Sequence, residues 1–130
     1  MDGKVLVVDD NADARLMLAE ALAYLGIEHS TVKSASACIA RLVADPGEFD
    51  LVLMDIHMPA LNGADASQWI KDSDLPRHQG IPIIAVTGDD AFAGPDALPA
   101  YGISDVLRKP FSLESLQAVL RKHLKQMRPN

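Results

Sequence analysis

Two short apolar runs, each followed directly by aspartate, constrain the fold of this chain more than any other feature. Residues 5–8 precede the pair Asp9 and Asp10, and residues 51–54 precede Asp55. Short runs that are entirely apolar and rich in β-branched residues are typical of strands buried on both faces, as in a parallel sheet covered by helices. Because the carboxyl ends of parallel strands share one edge of the sheet, we expect the three carboxylates to meet there.

The whole chain alternates strand and helix patterns. Strands are predicted at residues 5–8, 51–54 and 81–86, and weaker ones near 28–32 and 105–107. Helices are predicted at about 12–25, 34–43 and 64–73, as a short or irregular helix within 89–102, and after the N-cap Ser112. Right-handed crossovers then predict an α/β fold with a doubly wound five-stranded parallel sheet in the order 2-1-3-4-5, a flavodoxin-like (βα)5 three-layer sandwich.

Length and composition restrict the class of protein. At 130 residues the chain fits a single domain that spans residues 1–130. It contains no apolar stretch of about 18 residues and no signal-peptide pattern, so we expect a cytoplasmic protein without membrane insertion. The net charge of −6 argues against direct nucleic-acid binding, which requires clustered Lys and Arg.

The single cysteine, Cys38, excludes an internal disulfide and any cysteine-based metal cluster. It occurs with Ala35, Ile39 and Leu42 at the spacing of one helix face. This pattern predicts core packing for Cys38 rather than a reactive thiol.

The predicted strand ends together supply the side chains of a phosphate site. Thr87 follows the fourth strand and Lys109 follows the fifth, at the same edge as the three aspartates. Crowded carboxylates require a neutralising cation, and a hard, oxygen-seeking cation such as Mg²⁺ fits them best. Asp55 is then placed to attack a phosphorus atom and form an acyl phosphate, while Mg²⁺, Thr87 and Lys109 share the charge on the equatorial oxygens.

These residues lie in motifs that resemble the receiver domains of two-component response regulators. The motifs are Val-Leu-Val-Val-Asp-Asp at 5–10, Leu-Met-Asp-Ile-His-Met-Pro at 53–59 with Gly63, Val-Thr-Gly at 86–88 and Lys-Pro-Phe at 109–111. They occur in order, without large insertions, over essentially the whole chain. The resemblance implies a signal-transducing phosphoprotein that takes its phosphoryl group from a histidine kinase or a histidine phosphotransfer protein. It also implies an output domain, either covalently attached or separate.

The resemblance assigns a metal-binding role to four residues. It implies that Asp10 and Asp55 bind Mg²⁺ through carboxylate oxygens and that the backbone carbonyl of His57 is a further ligand. Asp9 is implied to act mainly through water. The imidazole of His57 and the side chain of Asp89 flank the phosphoryl position in the family, which suggests the hypothesis that they tune hydrolysis.

The resemblance also assigns the phosphoryl chemistry. It implies that Asp55 is the phosphoacceptor, that Thr87 turns toward the phosphoryl group and that Lys109 pairs with it. The Lys109–Pro110 peptide bond is implied to be cis. A receiver domain catalyses only its own phosphorylation and dephosphorylation, so no separate enzymatic activity is expected.

One position departs from the family pattern. Receivers commonly carry Tyr or Phe three residues before the lysine, as a switch that reports phosphorylation, and this chain has Val106 there. Tyr101 is near but out of register. Receivers that are attached to sensor kinases or that act in a phosphorelay often lack the aromatic residue, so Val106 favours that context.

Three other interpretations stay open at this level. Paired acids after a strand also serve as a solvated helix start, with Asp10 or Asn11 as the N-cap. The fold is also compatible with an interaction module that works without phosphorylation. The third interpretation is a Mg²⁺-dependent phosphohydrolase on a related α/β fold. Such an enzyme typically has a second Asp two residues after its nucleophile, and this chain has His57 there, which argues against it.

Overall fold

Five parallel strands form one sheet in the order β2-β1-β3-β4-β5, which confirms the predicted topology. The structure is a computed structural model that describes residues 3–45, 47–55, 68, 71–72, 80–88 and 103–124. The strands are β1 (Lys4–Val8), β2 (Glu28–Val32), β3 (Leu51–Asp55), β4 (Ile83–Thr87) and β5 (Asp105–Arg108). Within the described residues the helices with defined bounds are α1 (Ala12–Tyr24), α2 (Ala35–Ala44) and α3 (Leu113–His123).

The apolar strands bury both of their faces, as their sequences predict. Alternate residues of β1 and β3 divide between two core clusters, because successive side chains of a strand point to opposite faces of the sheet. Val5, Val7, Leu51 and Leu53 join the cluster that contains residues of α1 and α3. Leu6, Val8, Val52 and Met54 join the cluster that contains residues of α2. The sheet therefore lies between two helical layers, in agreement with the three-layer prediction.

Polar caps define the starts of the helices. The Asn11 side chain accepts a hydrogen bond of 2.9 Å from the Ala14 amide, so Asn11 rather than Asp10 is the N-cap of α1. Ser34 caps α2 in the same way. Ser112 is the predicted N-cap of α3 and forms a reciprocal capping box with Ser115. Gly26 has φ of 74°, the left-handed conformation that ends a helix at low cost for glycine.

Several predicted strand boundaries shift by one or two residues, and β1 begins at Lys4 while β3 ends at Asp55. β4 begins at Ile83 rather than residue 81, and Pro82 contributes its carbonyl to the Val52 amide at 3.0 Å but has no N–H to donate. β5 extends to Arg108, because the following Lys109 amide still donates to the Thr87 carbonyl at 2.9 Å.

Cys38 packs in the core, as its position on the helix stripe predicts. Its side chain is 0% exposed and belongs to the cluster between α2 and the sheet, together with Ala35 and Leu42. Burial raises the pKa of the Cys38 thiol to about 12, which keeps the thiol protonated at neutral pH.

Several predicted features lie outside the described residues. They include His57, Asp89, Tyr101, the segment 89–102 and most of the helix predicted at 64–73. Of that helix, Gln68, Lys71 and Asp72 are described and are helical. No helix in the described part of the chain is long and apolar enough to cross a bilayer.

Candidate functional site

Three carboxylates come together at the carboxyl edge of the sheet. One carboxylate oxygen from each of Asp9, Asp10 and Asp55 lies within 4.8 Å of the other two. Asp55 is the last residue of β3, and Asp9 and Asp10 directly follow β1, which pairs with β3 in register. Asp9 is 1% exposed and Asp55 is 7% exposed, whereas Asp10 faces solvent. Two of the three carboxylates are therefore buried, and the third is accessible to solvent.

The donor atoms of this trio suit a hard divalent cation. Ionised carboxylates at such short separations repel one another, and a cation between them converts the repulsion into attraction. All three groups offer oxygen, the ligand that Mg²⁺ prefers, and the exposed Asp10 leaves room for the water molecules that Mg²⁺ usually keeps. The observed oxygen separations thus fit the metal that the sequence predicts.

Asp9 is held by hydrogen bonds through every one of its polar groups. Its amide donates to the Val32 carbonyl at 3.2 Å, and its Oδ1 accepts from the Asn11 amide at 2.9 Å. Its Oδ2 lies 3.4 Å from Nζ of Lys109, and its carbonyl accepts from Nη1 of Arg15 at 2.8 Å. Because both carboxylate oxygens already have protein donors, Asp9 is better suited to organising the site than to binding a cation directly.

Thr87 and Lys109 lie at the same carboxyl edge of the sheet, at the ends of β4 and β5. Thr87 ends β4 and is buried, and its carbonyl accepts the Lys109 amide. The register of β3 and β4 places Asp55 opposite Val86, one residue before Thr87. The Lys109–Pro110 peptide bond is cis, which confirms the expectation from the resemblance. Thr87 and Lys109 are thus joined at the tip of two neighbouring strands.

A cavity of about 630 Å³ opens beside these residues. Its lining residues are Asp9, Asn11, Asp13, Ala14, Met17, Leu18, Asp55, Lys109, Pro110 and Phe111. The polar groups lie at the sheet edge, while α1 and the residues before α3 supply an apolar wall. Met17 on this wall is 59% exposed. The cavity therefore combines an acidic floor with an apolar surface that a second molecule can reach.

Val106 lies on β5, opposite Ala85 of β4. It is half-buried and packs with Ala85 and Ile103 in a small apolar cluster of its own. The position where the family commonly has an aromatic switch is thus occupied here by a short branched side chain within the sheet layer.

Sequence reasoning missed Arg15, whose side chain reaches from the first turn of α1 back to the Asp9 carbonyl. The contact joins a side chain to a main-chain oxygen, so the residue types at these positions contain no signal for it. The expected backbone ligand at His57 lies outside the described residues. The metal-binding and phosphoryl roles of the other predicted site residues stay predictions.

The comparisons with known proteins agree with this geometry. The family model for the response regulator receiver domain matches residues 5–121. The chain is 32% identical over 121 residues to the transcription factor SKN7 of Chaetomium thermophilum, which covers 93% of this chain and 15% of that protein. It is 37% identical over 120 residues to the signal transduction histidine-protein kinase BarA of Escherichia coli, which covers 92% of this chain and 12% of that kinase. The chain thus spans only a small part of these relatives.

A solved structure has both the same fold and a metal in its cleft. The receiver domain of the sensor histidine kinase PA1611 from Pseudomonas aeruginosa superimposes with a TM-score of 0.82 at 26% sequence identity. The match covers 96% of this chain and 99% of that one, and the structure is described with a magnesium ion coordinated in its active site cleft.

Proposed function

The chain belongs to the response regulator receiver domain family of two-component signalling, and from this premise we propose that Asp55 accepts a phosphoryl group in a Mg²⁺-dependent reaction. The observation that carries the proposal is the meeting of the Asp9, Asp10 and Asp55 carboxylates at the sheet edge, beside a cavity that Asp9, Asp55 and Lys109 line. A phosphorylation-independent module would have no need of this arrangement.

We assign the metal to the carboxylates of Asp10 and Asp55 and the backbone carbonyl of His57, with Asp9 acting through water. Two observations support this division. The Asp10 side chain is exposed and Asp55 lines the cavity, whereas both oxygens of Asp9 already accept hydrogen bonds from the protein. When bound, Mg²⁺ neutralises the carboxylates and stabilises the negative charge of the phosphoryl oxygens.

The chemistry of the transfer follows from the residues of the chain. An oxygen of the Asp55 carboxylate attacks the phosphorus of a phosphohistidine, so that an O–P bond forms while the N–P bond breaks and the imidazole keeps the electron pair. Asp55 needs no separate base when it is ionised. Thr87 donates a hydrogen bond to one phosphoryl oxygen, and the Lys109 ammonium pairs with another. Lys109 must then exchange its contact with Asp9 for the new anion.

The phosphoryl donor is a histidine kinase or a histidine phosphotransfer protein, and the apolar wall of the cavity offers it a surface beside Asp55. Of the two relatives reported above, one is a signal transduction histidine-protein kinase and one is a transcription factor. Together with Val106, the likeness to the kinase favours a receiver that passes or takes phosphoryl groups within a hybrid kinase or a phosphorelay. We assign residues 1–130 to one receiver domain, located in the cytoplasm, where ATP supplies such kinases.

The substitution Asp55→Asn tests the proposal. It should abolish labelling by acetyl phosphate or by a cognate kinase in Mg²⁺, and the label on the wild-type protein should be removed by hydroxylamine, which cleaves acyl phosphates. Asp45→Asn is the matched control, because Asp45 is exposed at the end of α2 and asparagine can still accept the Gly47 amide. Labelling of Asp55→Asn at the wild-type level would reject Asp55 as the acceptor. A wild-type protein that is never labelled would favour the interaction module.

A further inference from the structure

The turn that joins β1 to α1 is fixed on both sides of Asp10. The peptide plane before Asp10 contains the Asp9 carbonyl, which accepts a hydrogen bond of 2.8 Å from Nη1 of Arg15. The peptide plane after it contains the Asn11 amide, which donates to Oδ1 of Asp9 at 2.9 Å. Because the two flanking planes define φ and ψ of a residue, the backbone of Asp10 is held although its side chain is exposed.

We propose that Arg15 is a positioning residue for the metal site: by holding the Asp9 carbonyl, it fixes the direction in which the Cα–Cβ bond of Asp10 leaves the turn and so raises the affinity for Mg²⁺. This inference rests on the proposed function, in which Asp10 and Asp55 hold the cation. Residues that orient the ligands of a metal affect its affinity although they never contact it, and removing one commonly costs about 10- to 100-fold.

The contact of Arg15 is directed at the turn and not at a carboxylate. Its Nη1 bonds the main-chain oxygen of Asp9, while the two carboxylate oxygens of Asp9 are taken by Asn11 and Lys109. The backbone amide of Arg15 donates to the Asn11 carbonyl at 3.0 Å, so its helical turn starts from the same loop. Arg15 thus links the first full turn of α1 to the residue before Asp10.

Substitution of Arg15 tests the role of the turn in metal binding without removing the N-cap of α1. Asn11 holds the same turn, but its side chain also caps α1 through the Ala14 amide, so replacing it perturbs the helix. Arg15 is half-buried in the first turn of α1, where other long side chains have similar helix propensity. Its guanidinium can be removed while the cap is left in place.

The charge of Arg15 and its hydrogen bond predict opposite results. A cation close to a metal site repels Mg²⁺, so loss of the positive charge alone would tighten binding. Loss of the hydrogen bond frees the peptide plane before Asp10 and weakens binding. The direction of the change in Mg²⁺ affinity therefore distinguishes a positioning role from a purely electrostatic one.

The test compares Mg²⁺ dissociation constants, measured by titration calorimetry at fixed ionic strength, for wild type, Arg15→Met and Arg15→Lys. The control Arg121→Met removes one positive charge from an exposed position in the last turn of α3. We expect Arg15→Met to bind Mg²⁺ about tenfold more weakly, Arg15→Lys to recover part of the loss, and Arg121→Met to match wild type. Circular dichroism and thermal unfolding in EDTA establish that each variant is folded.

Unchanged or tighter Mg²⁺ binding by folded Arg15→Met would overturn this inference and leave the proposed function intact, provided that the wild-type protein binds Mg²⁺. A wild-type protein that binds no Mg²⁺ would overturn both. Should Arg15→Met not fold, Arg15→Gln takes its place. Weaker Mg²⁺ binding by that variant would then support the inference, and unchanged or tighter binding would overturn it.

Discussion

The ammonium of Lys109 lies 3.4 Å from Oδ2 of Asp9, a contact between the turn after β1 and the turn after β5. The two residues follow strands that are separated by β3 and β4 in the sheet, so this pair bridges the carboxyl edge above Asp55. The Asp9 carboxylate is almost wholly buried, whereas the Lys109 side chain is 34% exposed. The lysine is therefore the more accessible partner, and it is the one that can exchange Asp9 for another anion.

Replacing Lys109 with methionine should impair both phosphorylation and stability. Its partner Asp9 is 1% exposed and would lose the Lys109 contact of its Oδ2 beside two further carboxylates, so the free energy of unfolding should fall by about 1–3 kcal/mol. Loss of the ammonium removes a preorganised charge from the phosphoryl site, and the rate of labelling by acetyl phosphate should fall by about 100-fold. Lys33→Met, at an exposed position outside the site, is the control. Equal labelling rates for the two variants would contradict the role of Lys109.

Replacing Asp10 with asparagine should change stability in opposite directions with and without Mg²⁺. In EDTA the variant should unfold at a higher temperature than wild type, because one of three crowded negative charges is removed. Excess Mg²⁺ should reverse the order, since a ligand at 100 times its Kd stabilises the folded state by about 2.7 kcal/mol and the variant loses a metal-binding carboxylate. Thermal unfolding in both buffers measures this. The same order in both would argue against Asp10 as a ligand.

Acid should remove a stabilising contribution from Asp105 on β5. Partial burial tends to raise the pKa of this carboxyl. The hydrogen bonds from His123 and the Val106 amide, together with the charge of Lys122, outweigh burial and lower the pKa overall. A carboxyl with a lowered pKa stabilises the folded state above its unfolded pKa of about 3.9 and loses this effect as the pH falls through the folded value.

Urea unfolding of wild type and Asp105→Asn between pH 6 and pH 2 tests this expectation. The difference in the free energy of unfolding should be largest at the upper end of the range and shrink as the pH drops below about 4. A difference that stayed constant over the whole range would show that the contacts of Asp105 do not depend on its charge.

Cys38 should react with thiol reagents only when the protein unfolds. The thiol is fully buried, and its raised pKa of about 12 leaves almost no thiolate at pH 8. Reaction with a disulfide reagent should be slow in native buffer and fast in urea. Cys38→Ser should lower the free energy of unfolding by about 1–3 kcal/mol, because a hydroxyl group is then buried among apolar side chains. Rapid modification of the native protein would contradict the packing of Cys38 in the core.

The sequence predicted the sheet well because its strands satisfy one strong physical condition. Residues 5–8 and 51–54 are wholly apolar, and a central strand of a covered parallel sheet buries both faces of such a run. The strand order then followed from crossover handedness, and the meeting of Asp9, Asp10 and Asp55 followed from the shared edge. The sequence predicts the ends of β4 and β5 only to within two residues, because backbone hydrogen bonding rather than the apolar pattern determines where these strands begin and end.

The finer contacts of the site were not available from sequence. The choice between Asp10 and Asn11 as the cap of α1 depends on the backbone conformation of the turn, and both residue types are good caps. The bond from Arg15 to the Asp9 carbonyl joins a side chain to the main chain, which no pattern of residue types encodes. The ion pair of Lys109 with Asp9 joins residues that are far apart in the sequence, so only the three-dimensional structure shows it.

The end of β1 gives the neighbouring, chemically identical residues Asp9 and Asp10 different environments. The Asp9 amide still donates to the Val32 carbonyl of β2, and Asp9 is enclosed, whereas Asp10 lies in the turn and is open to water. The last backbone hydrogen bond of the strand thus divides two identical letters into an enclosed carboxylate and an accessible one. A search that recognised only the Asp-Asp pair would not tell which of the two carboxylates solvent can reach.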